Sequence, residues 1–186
     1  FADSLFTGNP AAVCLLESWL GTDLLQQMAA ENNLSETAFV MPAKRGKWAI
    51  RWFTPKLEVD LCGHATLAAA HVLFQERGEA KDELIFTSRS GDLKVSRLDG
   101  GIIAMDFPAL ATTVASVSPL LVEGLGGYPS EVRTAEDCLC VFDSEEIVRE
   151  LKPDFRQLER LSFRGILATA PADNCKADFV SRFFAP

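Results

Sequence analysis

Between Gly63 and Gln75 the chain reads G-H-A-T-L-A-A-A-H-V-L-F-Q, a segment that wound as a helix leaves no polar face for solvent. A helix that is apolar all round belongs inside something, and the stretch Ala65 to Phe74 is too short to cross a bilayer. It therefore needs protein on every side. Its run of alanines lets neighbouring backbone come close, and His71 reads as a satisfied core histidine. Strand patterns surround it: Thr37 to Met41 and Trp48 to Phe53 before it, then Leu84 to Thr87, Leu93 to Arg97 and Ile102 to Phe107 after it. Several short strands around one apolar helix predict an α+β fold, a curled and mostly antiparallel sheet around a central helix.

Before this region, Thr7-Gly8-Asn9-Pro10 signals a turn and Ala11 to Leu16 a short strand. Thr22 or Asp23 caps a helix that ends at Asn32-Asn33. Ala109 to Ser118 reads as a linker. Beyond it come a short helix near Pro119 to Gly124, strands around Val132, at Leu139 to Phe142, Ile166 to Thr169 and Asp178 to Phe184, and helices near Ser144 to Leu151 and Asp154 to Arg160. The expected domains are residues 1–110 and 111–186. A chain of 186 residues, 48% hydrophobic, suffices for such cores.

The net charge of −8 excludes phosphate backbones and anionic membranes as partners, because both need clustered Lys and Arg. The amino terminus has no basic, signal-like core. The five cysteines (Cys14, Cys62, Cys138, Cys140, Cys175) are irregularly spaced, and Cys138-x-Cys140 lacks a second Cys/His pair. Reduced thiols in a cytoplasmic protein, with a structural role for this pair, are the simplest account.

Two segments share the pattern R-aromatic-F-small-P: Arg51-Trp52-Phe53-Thr54-Pro55 and Arg182-Phe183-Phe184-Ala185-Pro186. A Thr-Ala doublet precedes each, at Thr37-Ala38 and Thr169-Ala170. An internal duplication with a pseudo-twofold axis follows from the match. After the first copy comes the buried helix; after the second the sequence stops. The second domain is therefore expected to be incomplete, lacking its central helix, and the chain reads as truncated at both ends.

The start of the apolar helix is one place for chemistry. Gly63 permits a tight turn and close ligand approach, and the first N–H groups of the helix suit a carboxylate or phosphate. His64 beside them either binds the ligand and shuttles a proton or merely caps the helix. Cys62 is either a reactive thiol or a small buried hydrophobe. Glu36, in Asn33-Leu34-Ser35-Glu36-Thr37-Ala38-Phe39, acts as a general acid or base if burial raises its pKa, and is otherwise a surface glutamate.

Gly8-Asn9-Pro10-Ala11-Ala12-Val13, Asn33-Leu34-Ser35-Glu36-Thr37-Ala38-Phe39, Arg51-Trp52-Phe53-Thr54-Pro55 and Leu61-Cys62-Gly63-His64-Ala65-Thr66-Leu67-Ala68 follow one another as in the PhzF-like isomerases. The chain resembles that family, and within it the broad group that includes the MAWD-binding protein. The resemblance implies the diaminopimelate-epimerase fold, two similar domains with the active site between them. It implies Glu36 as the proton-transferring group, with Asn9, Gly63 and His64 at the substrate. It implies a small carboxylated metabolite as substrate, no cofactor and no metal; dimerisation is an expectation of the family alone. After R-x-F-x-P the family continues with an E-D-P-V-T-G-S-A-H segment that carries a catalytic Asp. None follows Pro186, so the segment as written is expected to be inactive.

Two other functions fit. A cofactor-independent amino-acid racemase would use a thiol at the position of Cys62, activated by the helix amino terminus. A non-catalytic member of the fold would bind a protein partner instead of a metabolite.

Overall fold

A computed structural model describes residues 6–78, 82–107, 109–173 and 177–186. Cys175, the opening residues 1–5 and Pro108 lie outside the described residues. The chain divides into two compact units, Phe1–Pro108 and Ala109–Pro186, so the boundary falls after residue 108 rather than 110. Among the described residues no helix is long and apolar enough to cross a membrane.

The first unit runs β1 (Ala11–Leu15), α1 (Thr22–Asn32), β2 (Glu36–Pro42), β3 (Trp48–Phe53), β4 (Glu58–Val59), α2 (Gly63–His71), β5 (Glu83–Ser88), β6 (Gly91–Arg97) and β7 (Ile103–Asp106). Its sheet has the order β1-β2-β3-β5-β6-β7, with β4 paired to β3. Most pairs are antiparallel, but β1 runs parallel to β2 and β3 to β5. A parallel pair needs a long crossover, and α1 and α2 with the wide turn after it provide the two.

Strand alternation then decides what α2 touches. Ala38 and Val40 of β2, with Trp48, Ile50 and Trp52 of β3, lie on one face and form a core with Ala65, Ala69, Ala70, Leu73 and Phe74. Phe39 and Phe53 point the other way and pack under α1 against Leu25 and Ala29, their rings edge to face at 5.6 Å. The alanines of α2 are what let it lie this close to two tryptophans. Past His71 the helix widens into a π turn over Val72–Glu76, closed by the Arg77 N–H on the Val72 carbonyl.

Three readings of this unit need correction. The cap of α1 is Gly21, not Thr22 or Asp23, and no side chain caps it. Thr22 instead turns its hydroxyl to Arg51, which donates to it at 3.0 Å. His71 is exposed, not a core residue. Within this unit the sheet does not close around α2, so Leu67, Ala68, His71 and Val72 line an open cavity of about 940 Å³, with Ala11, Val13 and Ile103 opposite. The helix is buried on one side only.

Arg51, the first residue of the repeated motif, faces the α1 side. It forks onto Glu58 at 2.7 and 2.8 Å and stacks near Trp19. Arg89 reaches the same carboxylate at 2.7 Å. The Arg51 hydrogen bond holds the Glu58 carboxyl below its ordinary range. A carboxylate depressed in the folded state stabilises above its unfolded pKa and loses that contribution as pH falls through the folded value. Glu58→Gln should therefore cost about 1.5 to 3 kcal/mol at pH 7, and its deficit against the wild type should shrink below about pH 4. Urea titrations at the two pH values measure this; a deficit independent of pH would refute the ion-pair assignment.

The second unit holds β8 (Thr113–Ala115), α3 (Pro119–Leu125), β9 (Glu131–Thr134), β10 (Cys138–Val141), α4 (Glu145–Glu150), α5 (Phe155–Leu158), β11 (Ile166–Pro171) and β12 (Phe179–Phe184), in the sheet order β12-β11-β10-β9-β8. The expected linker thus contains a strand, β8, paired to β9. Ser118, Ser144 and Asp154 cap the three helices through their side chains. All three helices pack on one face, where Leu121, Leu125, Val148 and Leu158 meet Cys138, Cys140, Ile166 and Ala168. Cys138 and Cys140 are core thiols of this face, 3.8 Å apart. The intervening side chains, Leu139, Val141, Leu167 and Thr169, line a shallow apolar hollow on the other face.

The repeat has a topological counterpart. In each unit a parallel pair (β1·β2, β10·β11) is extended by an antiparallel strand carrying R-x-F (β3, β12). The Thr-Ala doublets are not equivalent, however. Arg51 stands opposite Phe39, two residues after Thr37, whereas Arg182 stands opposite Ala168, one residue before Thr169. The two arginines do different things: Arg51 pairs with Glu58, whereas Arg182 donates to the Val148, Arg149 and Leu151 carbonyls that end α4.

Candidate active site

Three element ends converge in the first unit. Glu36 opens β2 and shares the face of Ala38 and Val40, so its side chain is directed at α2. Parallel pairing sets Ala11 opposite Glu36, which brings the preceding turn, with Asn9, alongside. The helix α2 begins at Gly63 with Cys62 as its cap residue. Its first N–H groups lack intrahelical partners and carry the positive end of the helix dipole.

At this junction Glu36 Oε2 lies 3.1 Å from His64 Nε2, with the two side chains only 19% and 16% exposed. The Asn9 amide reaches the same ring nitrogen at 3.3 Å, and the Ser35 hydroxyl donates to Asn9 Oδ1 at 2.7 Å. On the far side of the ring, His64 Nδ1 is 3.5 Å from Cys62 Sγ. Glu36 Oε2 is shielded from solvent and accepts no well-aligned hydrogen bond from the described residues. It holds an acceptor site open in a poorly solvated place.

Burial pushes the Cys62 thiol up to about 12; the Ala65 and His64 amides pull against this, and the Glu36 carboxylate adds to it. At pH 8 the protonated thiol is therefore the dominant form. The two ring nitrogens of His64 thus face different groups: Nε2 meets the Glu36 carboxylate and the Asn9 amide, and Nδ1 meets the Cys62 sulfur. The thiol orients the ring. Iodoacetamide at pH 8 should accordingly leave Cys62 unmodified in the native protein over hours and label it on unfolding, as peptide mass spectrometry would show. Rapid native labelling of Cys62 would contradict this assignment.

The structure thus brings together Asn9, Glu36, Cys62, Gly63 and His64, all of the residues singled out from the sequence. Gly63 differs in its reason. Its φ is not left-handed, and a Cβ there would meet only the Phe107 ring at 3.7 Å, an ordinary contact. No turn demands glycine; the space beside it is what its size leaves free. Ser35 was missed. Its place next to Glu36 in the N-L-S-E motif was the available signal, since a hydroxyl beside a functional carboxylate commonly anchors a neighbour.

The chain matches the family described as phenazine biosynthesis-like protein over residues 1–186. It is 50% identical over 186 residues to a protein of Pseudomonas aeruginosa named as an uncharacterized isomerase, covering all of this chain and 70% of that one. It is 36% identical over 212 residues to the mouse phenazine biosynthesis-like domain-containing protein 1, covering all of this chain and 73% of the relative. A crystal structure of a PhzF-family protein from Enterococcus faecalis superposes with a TM-score of 0.92 at 43% identity, over 100% of this chain and 70% of that one.

Proposed function

We propose, for a chain that belongs to the phenazine biosynthesis-like protein family, that Glu36 and His64 form the proton-transfer pair of an isomerase acting without a cofactor on a small carboxylated metabolite. The observation that carries the reading is the 3.1 Å approach of Glu36 Oε2 to His64 Nε2 at the start of α2. The isomerase name of the Pseudomonas relative agrees with it.

The chemistry follows from the donors present. The positive end of the α2 dipole and the room beside Gly63 attract a carboxylate. Glu36 removes a proton from the adjacent carbon, and the electron pair of the broken C–H bond moves into an enolate. Nε2–H of His64 and the helix amino terminus stabilise that negative charge. Return of the proton at another carbon completes the isomerisation. Asn9, tied back by Ser35, keeps the imidazole in place.

The racemase reading would require Cys62 to act as a base. Its burial and its high pKa count against this. A binding protein without catalysis would have no use for an oriented imidazole on a shielded carboxylate.

Incubation in deuterium oxide with a panel of small unsaturated and chiral carboxylates tests the proposal. At least one compound should gain a single deuterium at a carbon bearing the displaced proton, read by mass spectrometry and proton NMR. If no carboxylate exchanges while the protein binds several of them, the site recognises acids without moving protons, and the proposal fails.

A further inference from the structure

Glu36, Cys62 and His64 offer a carboxylate oxygen, a sulfur and an imidazole nitrogen that all lie within 4.8 Å of one another. Hard, soft and borderline donors in one cluster are the donor set of four-coordinate zinc with one position left for water. Bonds of about 2.0 to 2.3 Å place the ligand atoms of such an ion roughly 3.3 to 3.8 Å apart. The separations of 3.1 Å from Glu36 to the ring and 3.5 Å from Cys62 to the ring already fall near that range. They involve opposite ring nitrogens, so one nitrogen must turn toward the other two donors. The shielded Glu36 Oε2 supplies a second reason: His64 Nε2 lies 3.1 Å away but gives it no well-aligned hydrogen bond, so a cation would satisfy this acceptor better than the ring does. Asn9, held by Ser35, lies beside the same ring nitrogen as Glu36 and so borders the cluster.

We infer that Glu36, Cys62 and His64 bind one thiophilic divalent cation, zinc or cobalt(II), as a reversible inhibitor of this site. On binding, the Cys62 S–H bond breaks, its proton leaves to water, and the freed sulfur electron pair forms the sulfur–metal bond. A metal does not need the thiolate to pre-exist, because a coordinated thiol is deprotonated outright. The bound ion takes the lone pair by which Glu36 would accept a proton, so inhibition rests on the proton-transfer reading above. Binding itself does not.

Cobalt(II) is the probe, because its spectrum reports ligands without any assay of turnover. Titration of the protein should give a one-to-one complex with the intense visible bands of a four-coordinate ion and a sulfur-to-cobalt charge-transfer band in the near ultraviolet. Cys62→Ser should abolish the charge-transfer band, whereas Cys14→Ser and Cys175→Ser should leave it intact. Glu36→Gln and His64→Ala should each weaken binding at least about tenfold. Circular dichroism confirms that each variant is folded. A band that survives Cys62→Ser, affinity unchanged in both Glu36→Gln and His64→Ala, or the weak spectrum of a six-coordinate ion would each overturn the site.

Discussion

Glu36→Gln should lower turnover of an exchanging substrate by about a hundredfold to ten-thousandfold while leaving KM within a few fold. That is the span over which a positioned general acid or base contributes, or about 3 to 5 kcal/mol on the barrier. Glutamine keeps the volume and planar shape of the side chain, so the packing of β2 on α2 is retained. What it removes is the ability to take a proton from carbon. The loss belongs in kcat, since on the proposed reading the start of α2, and not Glu36, binds the carboxylate of the substrate. Deuterium wash-in must fall in parallel, because it reads proton abstraction directly. A variant with lost turnover but full wash-in would place Glu36 after the proton-transfer step. One with both unchanged would remove Glu36 from the mechanism.

Much of this site could be read before the fold was known, for a specific reason. Period-two alternation puts Glu36 on the face of Ala38 and Val40, and those residues can be buried only against the apolar helix. The carboxylate and the helix start then have to meet. Asn9 follows from the parallel pairing of β1 with β2, which pattern alone does not reveal, and here the family motif supplied it. Pattern also failed where the outcome depends on how far a sheet curls. Apolar residues around all of α2 implied burial on every side, yet His71, Leu67 and Ala68 face open space within the first unit. The helical wheel records what a face prefers, not whether the sheet reaches it. The Thr-Ala doublets failed differently: two short matches in similar spacing sit three rungs apart in the ladders. A sequence repeat of that length constrains topology, through R-x-F on the outer strand, but not register.

The largest stability effect should come from Phe86→Ala, a loss of about 3 to 5 kcal/mol. Phe86 is fully buried in the middle of β5, opposite Trp48 on one side and Leu93 on the other. Its cluster contains Ala65, Ala69 and Ala70 of α2. Those helix neighbours are the reason to expect the upper half of the range. Alanine has no rotamers with which to refill a space, and α2 is fixed against β1 and β2, so the cavity left by the ring stays open. Against a typical total stability of 5 to 15 kcal/mol, such a loss brings the first unit close to unfolding at physiological temperature. The melting midpoint should fall by more than about 10 °C. Phe179→Ala is the matched control: the ring is 64% exposed, and its removal should change stability by no more than about 0.5 kcal/mol. A Phe86→Ala loss below about 1 kcal/mol would mean that α2 can sink into the space. The packing of a small-residue helix on the sheet would then not be what fixes the entrance to the site at Gly63 and His64.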